Sequence, residues 1–486
     1  GARNNSPEPP APTIALLPFS AATSDAGARQ LAAATRDSLA HTFSQTQFRV
    51  TLLDSRSQSG NPPADFFITG EVRGDSGKFV ATVRMEESAH QIIVYSHRFE
   101  ANRRDAHLLA DQIGGQVAGA IGWTVPFLML DRKHPSDPAV TAQLFQEIDL
   151  DNVKVLKAYE TSRRLARRYP NSALVQVYLA YNSAFALAEL PREERAEAAA
   201  QGRVAADKAR ALAPEFGEPY VPWCLLHSRV QTGGCEDRLR AGMRADPDAP
   251  FVDWFLADRL KDVGRFREAL ELATQSLAHD PFVPTKIGLT LRMLDALGNT
   301  VEAEKLYQSG NQSWLNKTDI FYDRVSGMMD RGDLDAVVRF EDAVGRANWP
   351  NGYQSAAPLA AAVSSNSAEE TRRACAKYDP LSLNAIMCVA ALARVGDLDG
   401  AFAFAARIYP PRVGRTPQEE DRIWLDSPFV AGTEYIVSPS TAPLRRDQRY
   451  LELAQQVGLL SYWRNGRLPD FCRPPAEPVC SALKRH

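Results

Sequence analysis

Six cysteines carry the first chemical signal in this chain. They fall into three close couples, Cys224/Cys235, Cys375/Cys388 and Cys472/Cys480, with none left over. Zinc-binding thiolates favour CxxC-like spacing and a common meeting point, and separations of 11, 13 and 8 residues do not provide that. Local disulfides are therefore expected, buried free thiols are the alternative, and no metal is expected. An oxidising compartment follows, which for a bacterial chain is the periplasm.

The other reactive residue types lack a constellation. Histidines 41, 90, 97, 107, 134, 227, 279 and 486 never form HExxH or another metal-ligand spacing. There is no GxSxG elbow, no GxGxxG fingerprint and no P-loop lysine; Gly114, Gly115 and Gly119 sit in a helical pattern with no Lys-Ser/Thr after them. DLDN at Asp149 to Asn152 lacks the glycine and distal glutamate of a calcium loop. The carboxylate pairs Glu193/Glu194, Glu369/Glu370 and Glu419/Glu420 are adjacent rather than facing, which suits a solvated surface. No catalytic residue and no cofactor is expected, and binding is the expected activity.

The cysteines sit inside a repeat that must position them. The stretch Phe251 to Pro281, FVDWFLADRLKDVGRFREALELATQSLAHDP, holds two amphipathic helices. One is apolar at Phe251, Trp254, Phe255, Leu256 and Leu260, the other at Phe266, Ala269, Leu270, Ala273 and Leu277. Gly264 separates them and Pro281 ends the unit, which is the tetratricopeptide (TPR) pattern. The turn glycines Gly264, Gly298 and Gly332 are 34 residues apart; a further 34 reaches Asn366, and Gly396 closes the series after 30. Six or seven helix pairs are expected between Val140 and Pro411, a stack burying a core that no single pair could bury. In that register Cys224 and Cys235 lie where two helices approach closely, and Cys375 and Cys388 would join a second helix to the first helix of the next unit.

A TPR stack presents a concave groove lined by first helices. With first helices opening at Ala173, Gly217, Pro250, Pro284 and Thr318, the groove positions are Tyr181, Phe185, Arg229, Trp254, Asp258, Lys261, Arg292 and Tyr322. Aromatic anchors with charges of both signs suit a protein or peptide partner. Against that, Tyr181 and Trp254 fit repeat core, and Asp258, Lys261 and Arg292 fit ordinary solvated charges. His227, near Cys224, either titrates with compartment pH or is a structural histidine.

Upstream, a Pro-rich linker (1–12) precedes an α/β domain (13–125). TIALLPF (Thr13 to Phe19) reads as a buried strand and Ala28 to Phe43 as a helix; FRVTLL (Phe48 to Leu53) completes a βαβ unit. DFFITGEVR, KFVATVRME and QIIVYSHRFE alternate and should form an antiparallel meander. A helix from Asp105 to Ile121 follows, then an extended run and a linker over 126–138, repeats over 139–411, and a C-terminal cap with a disulfide-pinned tail over 412–486. The cap is expected as one helix, Arg449 to Trp463, on the exposed final face of the stack. Ile113 to Leu130 is uncharged for 18 residues but contains Gln116, Thr124 and Pro126, and is read as buried rather than membrane-spanning. A net charge of -3 and a pI near 6.3 argue against nucleic-acid binding.

The order IALLPF, helix, strand, ITGEVR, VATVRM, IIVYSHRFE and long helix resembles the TolB-like N-terminal domain. That domain precedes TPR arrays in the extracytoplasmic halves of membrane-anchored bacterial signalling proteins, among them CadC-type winged-helix regulators and membrane-bound adenylate cyclases. The tail YLELAQQVGLLSYWRNGRLPDFC is similar to the segment that ends many of them. The resemblance implies an α+β chain, a small α/β domain followed by an all-α solenoid. It also implies a sensory and interaction region on the periplasmic side of the inner membrane, anchored upstream of Gly1. There it would act as a homodimer and bind a partner protein or a small-molecule signal, with any cyclase or DNA-binding domain outside this chain. The competing expectation is a periplasmic peptide-binding scaffold with no signalling output.

Overall fold

The computed structural model describes residues 12–483, apart from positions 23, 47, 76, 135 and 137 and the stretches 56–63, 147–154, 228–231, 310–317, 347–348, 350–352, 379–382, 410–418, 420–424 and 426–431. The chain is α+β and divides into two compact units, residues 1–153 with 278–283, and residues 154–277 with 284–486.

The first unit is built on a six-stranded mixed sheet. Its strands are β1 (Thr13–Leu16), β2 (Ser20–Ala21), β3 (Arg49–Leu52), β4 (Phe66–Asp75), β5 (Lys78–Glu87) and β6 (Ile92–Asn102), in the order β3-β1-β4-β5-β6, with the short β2 beside β4. Parallel pairing of β1 with β3 across helix α1 (Ala26–Ser44) forms the expected βαβ unit, and β4, β5 and β6 form the antiparallel meander. The period-2 pattern explains the register: Phe66, Ile68 and Val72 of β4 are fully buried while Glu71 and Arg73 face solvent. Asp25 starts α1, its Oδ1 accepting from Ala28 N at 3.0 Å and its Oδ2 from Arg103 at 2.6 Å.

Helix α2 (Ala106–Lys133) runs past both expected boundaries. The expected end at Ile121 and the linker from 126 are corrected, because Pro126 lies inside the helix. A mid-helix proline removes one hydrogen bond, and the apolar turns on either side of it, from Ile121 and Val125 to Phe127, Leu128 and Leu130, are buried and hold the helix together. This helix is long and apolar enough to cross a membrane, but 82% of its apolar window is buried in the protein. At its end Asp131 accepts from Thr141 Oγ1 (2.7 Å) and Ser136 N (2.9 Å), tying it to α3 (Pro138–Gln146). α3 packs on β6, so the residues expected to open the repeats from 139 belong instead to the sheet unit.

The second unit is all helical. It contains α4 (Val155–Arg168), α5 (Ala173–Ala186), α6 (Arg192–Leu212), α7 (Tyr220–Leu225), α8 (Thr232–Ala245), α9 (Val252–Asp262), α10 (Phe266–His279), α11 (Pro284–Ala296) and α12 (Thr300–Ser309). It continues with α13 (Thr318–Arg331), α14 (Leu334–Val344), α15 (Ala357–Ser364), α16 (Ala368–Cys375), α17 (Leu383–Arg394) and α18 (Leu398–Ile408). Most of these helices pack against the next in sequence. Gly264, Gly298, Gly332 and Gly396 all take φ of 78–80°, and Asn366 takes 52°, so the five turn positions spaced along the sequence share a left-handed conformation. At Gly264 the following N–H, of Arg265, bonds back to Leu260 O at 2.9 Å; Asn299, Asp333 and Asp397 repeat the bond to Leu294, Met328 and Leu392. A residue with a Cβ would be strained there, which is why glycine marks the period.

All six cysteines are paired as expected, with Cα–Cα distances of 5.2 Å for Cys224–Cys235, 5.8 Å for Cys375–Cys388 and 5.4 Å for Cys472–Cys480. The first joins α7 to α8 and the second α16 to α17, and such bonds fit an oxidising environment.

The C-terminal segment corrects the expected cap. Arg449 to Trp463 is not one helix: Tyr450–Gln456 and Leu459–Arg464 are separated at Gly458, whose φ is 84°. Nor does the segment sit only at the end of the array. Arg449 bonds Asp399 of α18 at 2.7 Å, yet Trp463, fully buried, donates from Nε1 to Val263 O at 3.0 Å, 200 residues back. Earlier in the segment Thr433 bonds Asp262 O and Ser440 bonds Asp330, so it touches the array at α9, α13, α18 and the α9–α10 turn.

Candidate functional site

Of the eight positions expected on the groove, three meet: Asp258 and Lys261 on α9 and Arg292 on α11. They are charged and of one helical face in the sequence, and the C-terminal segment occupies that face. Glu434, which opens the short helix Glu434–Val437, places its carboxylate between Lys261 and Arg292, at 3.1 Å from the Arg292 guanidinium and in direct contact with Lys261 Nζ. Arg292 is 1% exposed and also bonds Asp330 of α13, whose other oxygen accepts from Ser440 Oγ at 2.6 Å. Arg292 is therefore not a solvated groove charge: its cation is committed to two internal carboxylates.

Burial and pairing oppose each other here, and pairing wins. Burial works against the charge on Glu434, but the Lys261 and Arg292 cations outweigh it and hold the carboxyl below its ordinary value. Burial likewise disfavours the Arg292 and Lys261 cations, and the carboxylates of Asp330 and Glu434 for the first, and of Glu434 and Asp258 for the second, reverse the effect. Tyr435 adds its ring at 5.1 Å from the Arg292 guanidinium and donates to Ser326 Oγ at 2.7 Å.

The other expected positions lie elsewhere. Tyr181 is buried and donates to Glu218, a carboxyl with no exposure that also accepts from Phe251 N at 2.9 Å. Phe185 stacks on Tyr181 at 6.0 Å and is 39% exposed. Trp254 is half-buried and donates from Nε1 to Thr285 O at 2.9 Å. Tyr322 packs edge-on against Tyr353 at 5.2 Å. Arg229 lies outside the described residues. His227 stacks on Trp223 at 3.7 Å with Nδ1 2.6 Å from the Trp223 carbonyl, the geometry of a structural histidine.

Where the C-terminal segment crosses the helix turns it leaves a cavity of about 520 Å³. Phe266, Arg267 and Leu297 line it from the array, and Ser440, Arg445 and Phe471 from the segment. Arg445 is held by a bidentate bond to Glu477 (2.7 and 2.9 Å), and Asp470 anchors the rim by accepting from Arg267 N at 2.8 Å. Its lining is largely apolar and includes the charged side chains of Arg267, Arg445, Asp470 and Glu477, a mixture suited to a small molecule that offers both apolar and polar groups. Among the described residues no group of three or more His, Cys, Asp and Glu is placed to hold a metal ion.

Sequence reasoning missed Glu434, Asp330 and Ser440. Residues 432–445 carry no helical period, and the one available signal was a lone acid within the apolar run TEYIV. A carboxylate so placed must be buried, and a buried carboxylate needs a cation.

No protein-family model matches the chain, and no curated protein matches it.

Proposed function

We propose that this chain is the extracytoplasmic sensing region of a membrane-anchored bacterial signalling protein, facing the periplasm, with TPR-type repeats whose charged face is held by its own C-terminal segment. The cavity under that segment receives a small-molecule signal or the terminal group of a partner, and occupancy changes how firmly the segment is held. The observation that carries this reading is Glu434 seated between Lys261 and Arg292: the recognition face is already occupied from within, so a signal acts on that contact. The three disulfides support the compartment. The TolB-like strand order and the 34-residue phasing of the turn glycines support the class, a transcriptional regulator being the leading form.

The test combines binding and output. Purified chain is screened against periplasmic metabolites and short peptides by thermal shift, beside Leu297→Trp, which fills the cavity. In the full-length protein, Leu297→Trp and Glu434→Gln are scored by transcript profiling. The reading expects a ligand whose stabilisation is lost in Leu297→Trp, and an output fixed in one state by either substitution. Unchanged output in both variants refutes it and leaves a periplasmic scaffold as the better account.

A further inference from the structure

We infer that the exposed arginine face of α4 is a docking surface for the phosphate headgroups of anionic phospholipid. Glu160, Arg163, Arg164, Arg167 and Arg168 follow the i, i+3, i+4, i+7, i+8 spacing that places them on one side of a helix, and together they line a surface concavity of about 440 Å³. Lys157 is exposed one turn earlier. The opposite side of α4 is buried through Ala158, Tyr159, Ser162 and Leu165, and the helix packs on α5, so the basic side has nowhere to turn except outward. Five cations stand against one carboxylate on this face.

Among the described residues little neutralises them. Arg163 is 3.8 Å from Glu197 and lies over the Tyr159 ring at 5.3 Å, and Arg168 lies over Tyr169 at 5.4 Å. Among the described residues Arg164 and Arg167 form no ion pair. Several other arginines of this unit, among them Arg292, Arg372 and Arg445, are each held by a carboxylate. What sets the α4 face apart is the clustering of four arginines on one side of one helix around a single concavity, a concentration of positive charge that suits an outside anion.

The chemistry selects the anion. A guanidinium presents a planar fork that binds phosphate through two parallel hydrogen bonds. A protein partner would need an apolar or aromatic anchor at the centre of its contact, and the stripe contains none. A layer of lipid phosphates needs no such anchor, because it binds through summed charge. The membrane setting rests on the reading of the chain as a membrane-anchored region, but the affinity for lipid phosphate does not.

The experiment measures sedimentation of the purified full chain with vesicles of phosphatidylcholine alone or of phosphatidylcholine with one-third phosphatidylglycerol. The wild-type chain should prefer the anionic vesicles at least about tenfold, and the preference should fade at high salt as the Debye length contracts to a few ångströms. Arg164→Glu, Arg167→Glu and Arg168→Glu combined should reduce binding about a hundredfold, with an unchanged melting profile showing that the fold persists. The corresponding triple lysine variant should keep the preference. Should the glutamate variant fail to fold, Arg167→Gln alone must still weaken anionic binding several-fold. Equal binding to both vesicles, a preference that survives charge reversal, or its abolition by inorganic phosphate at fixed ionic strength would each overturn the inference. Cell fractionation separates the two readings: a chain that binds anionic vesicles but is not membrane-associated in cells defeats the proposed function and leaves the lipid chemistry standing.

Discussion

The sheet unit and the helical unit keep their polar groups in opposite ways. In the sheet unit most charged side chains of β4 to β6 point outward, as in the exposed pairs Arg98–Glu100 and Arg73–Glu71, Glu87 being the buried exception beside His90, and apolar residues such as Ile14, Leu16, Phe66 and Met85 fill the interior. The helical unit buries Lys286, Arg292, Arg324, Asp262, Asp295 and Glu434 as well as its apolar core. A twisted sheet obtains its register from alternation, since a one-residue slip would turn every side chain to the wrong face. Stacked helices can slide or exchange neighbours with less penalty, and buried ion pairs between α9, α11, α13 and the C-terminal segment admit one arrangement only.

If that contrast is sound, the largest losses come from the helical unit. Arg292→Ala leaves the buried carboxylates of Asp330 and Glu434 without their shared cation and should cost about 3–5 kcal/mol. Trp463→Ala should cost a similar amount, about 3–5 kcal/mol, by opening a cavity at the α9–α10 turn. Denaturant unfolding gives both values, and hydrogen exchange should place the loss in the helical unit, including α8 to α10. Losses below 1 kcal/mol for both would break the comparison.

Next come the disulfides. Cys375→Ser with Cys388→Ser should cost about 2–4 kcal/mol and leave protection in the sheet unit unchanged. Denatured, unreduced chain should show no reactive thiol by thiol titration.

The pH dependence is two-sided. Burial raises the Glu218 carboxyl to about 7 against hydrogen bonds from Tyr181 and Phe251 N that lower it, with Asp246 and Lys286 nearby. Because this folded value lies above the unfolded one, the folded chain binds the proton more tightly. The contribution, on the order of 3 kcal/mol, is complete below about pH 4.5 and is lost as the pH rises towards 7. Glu434 has the opposite sign: its value is depressed, so its contribution holds above the unfolded value and disappears in stronger acid. Stability of the helical unit should rise from pH 8 to pH 5 and then decline, and Glu218→Gln should flatten the first limb.

The smallest effects test the local rules. Gly298→Ala should cost about 1–2 kcal/mol from backbone strain alone, since no atom lies near the added Cβ. Arg98→Ala on the sheet should change stability by less than about 1 kcal/mol. A larger loss there would show that the sheet unit also depends on its charges.

The sequence by itself determined what depends on neighbours along the chain. Alternation in β4 to β6 is a local signal, and so are the left-handed turns at Gly264, Gly298, Gly332, Asn366 and Gly396 and the cysteine couples 8 to 13 residues apart; each was legible before any coordinates. The continuation of α2 through Pro126 was not, because burial on either side of a proline outweighs the hydrogen bond it removes. Nor was the fate of Lys261 and Arg292. Their helical face can be read from spacing, but their partner Glu434 stands 173 and 142 residues away in a stretch with no period, and only the folded chain brings these charges together. Tertiary structure therefore decided whether the charged face is open or filled, because a buried cation takes its meaning from the carboxylate that reaches it.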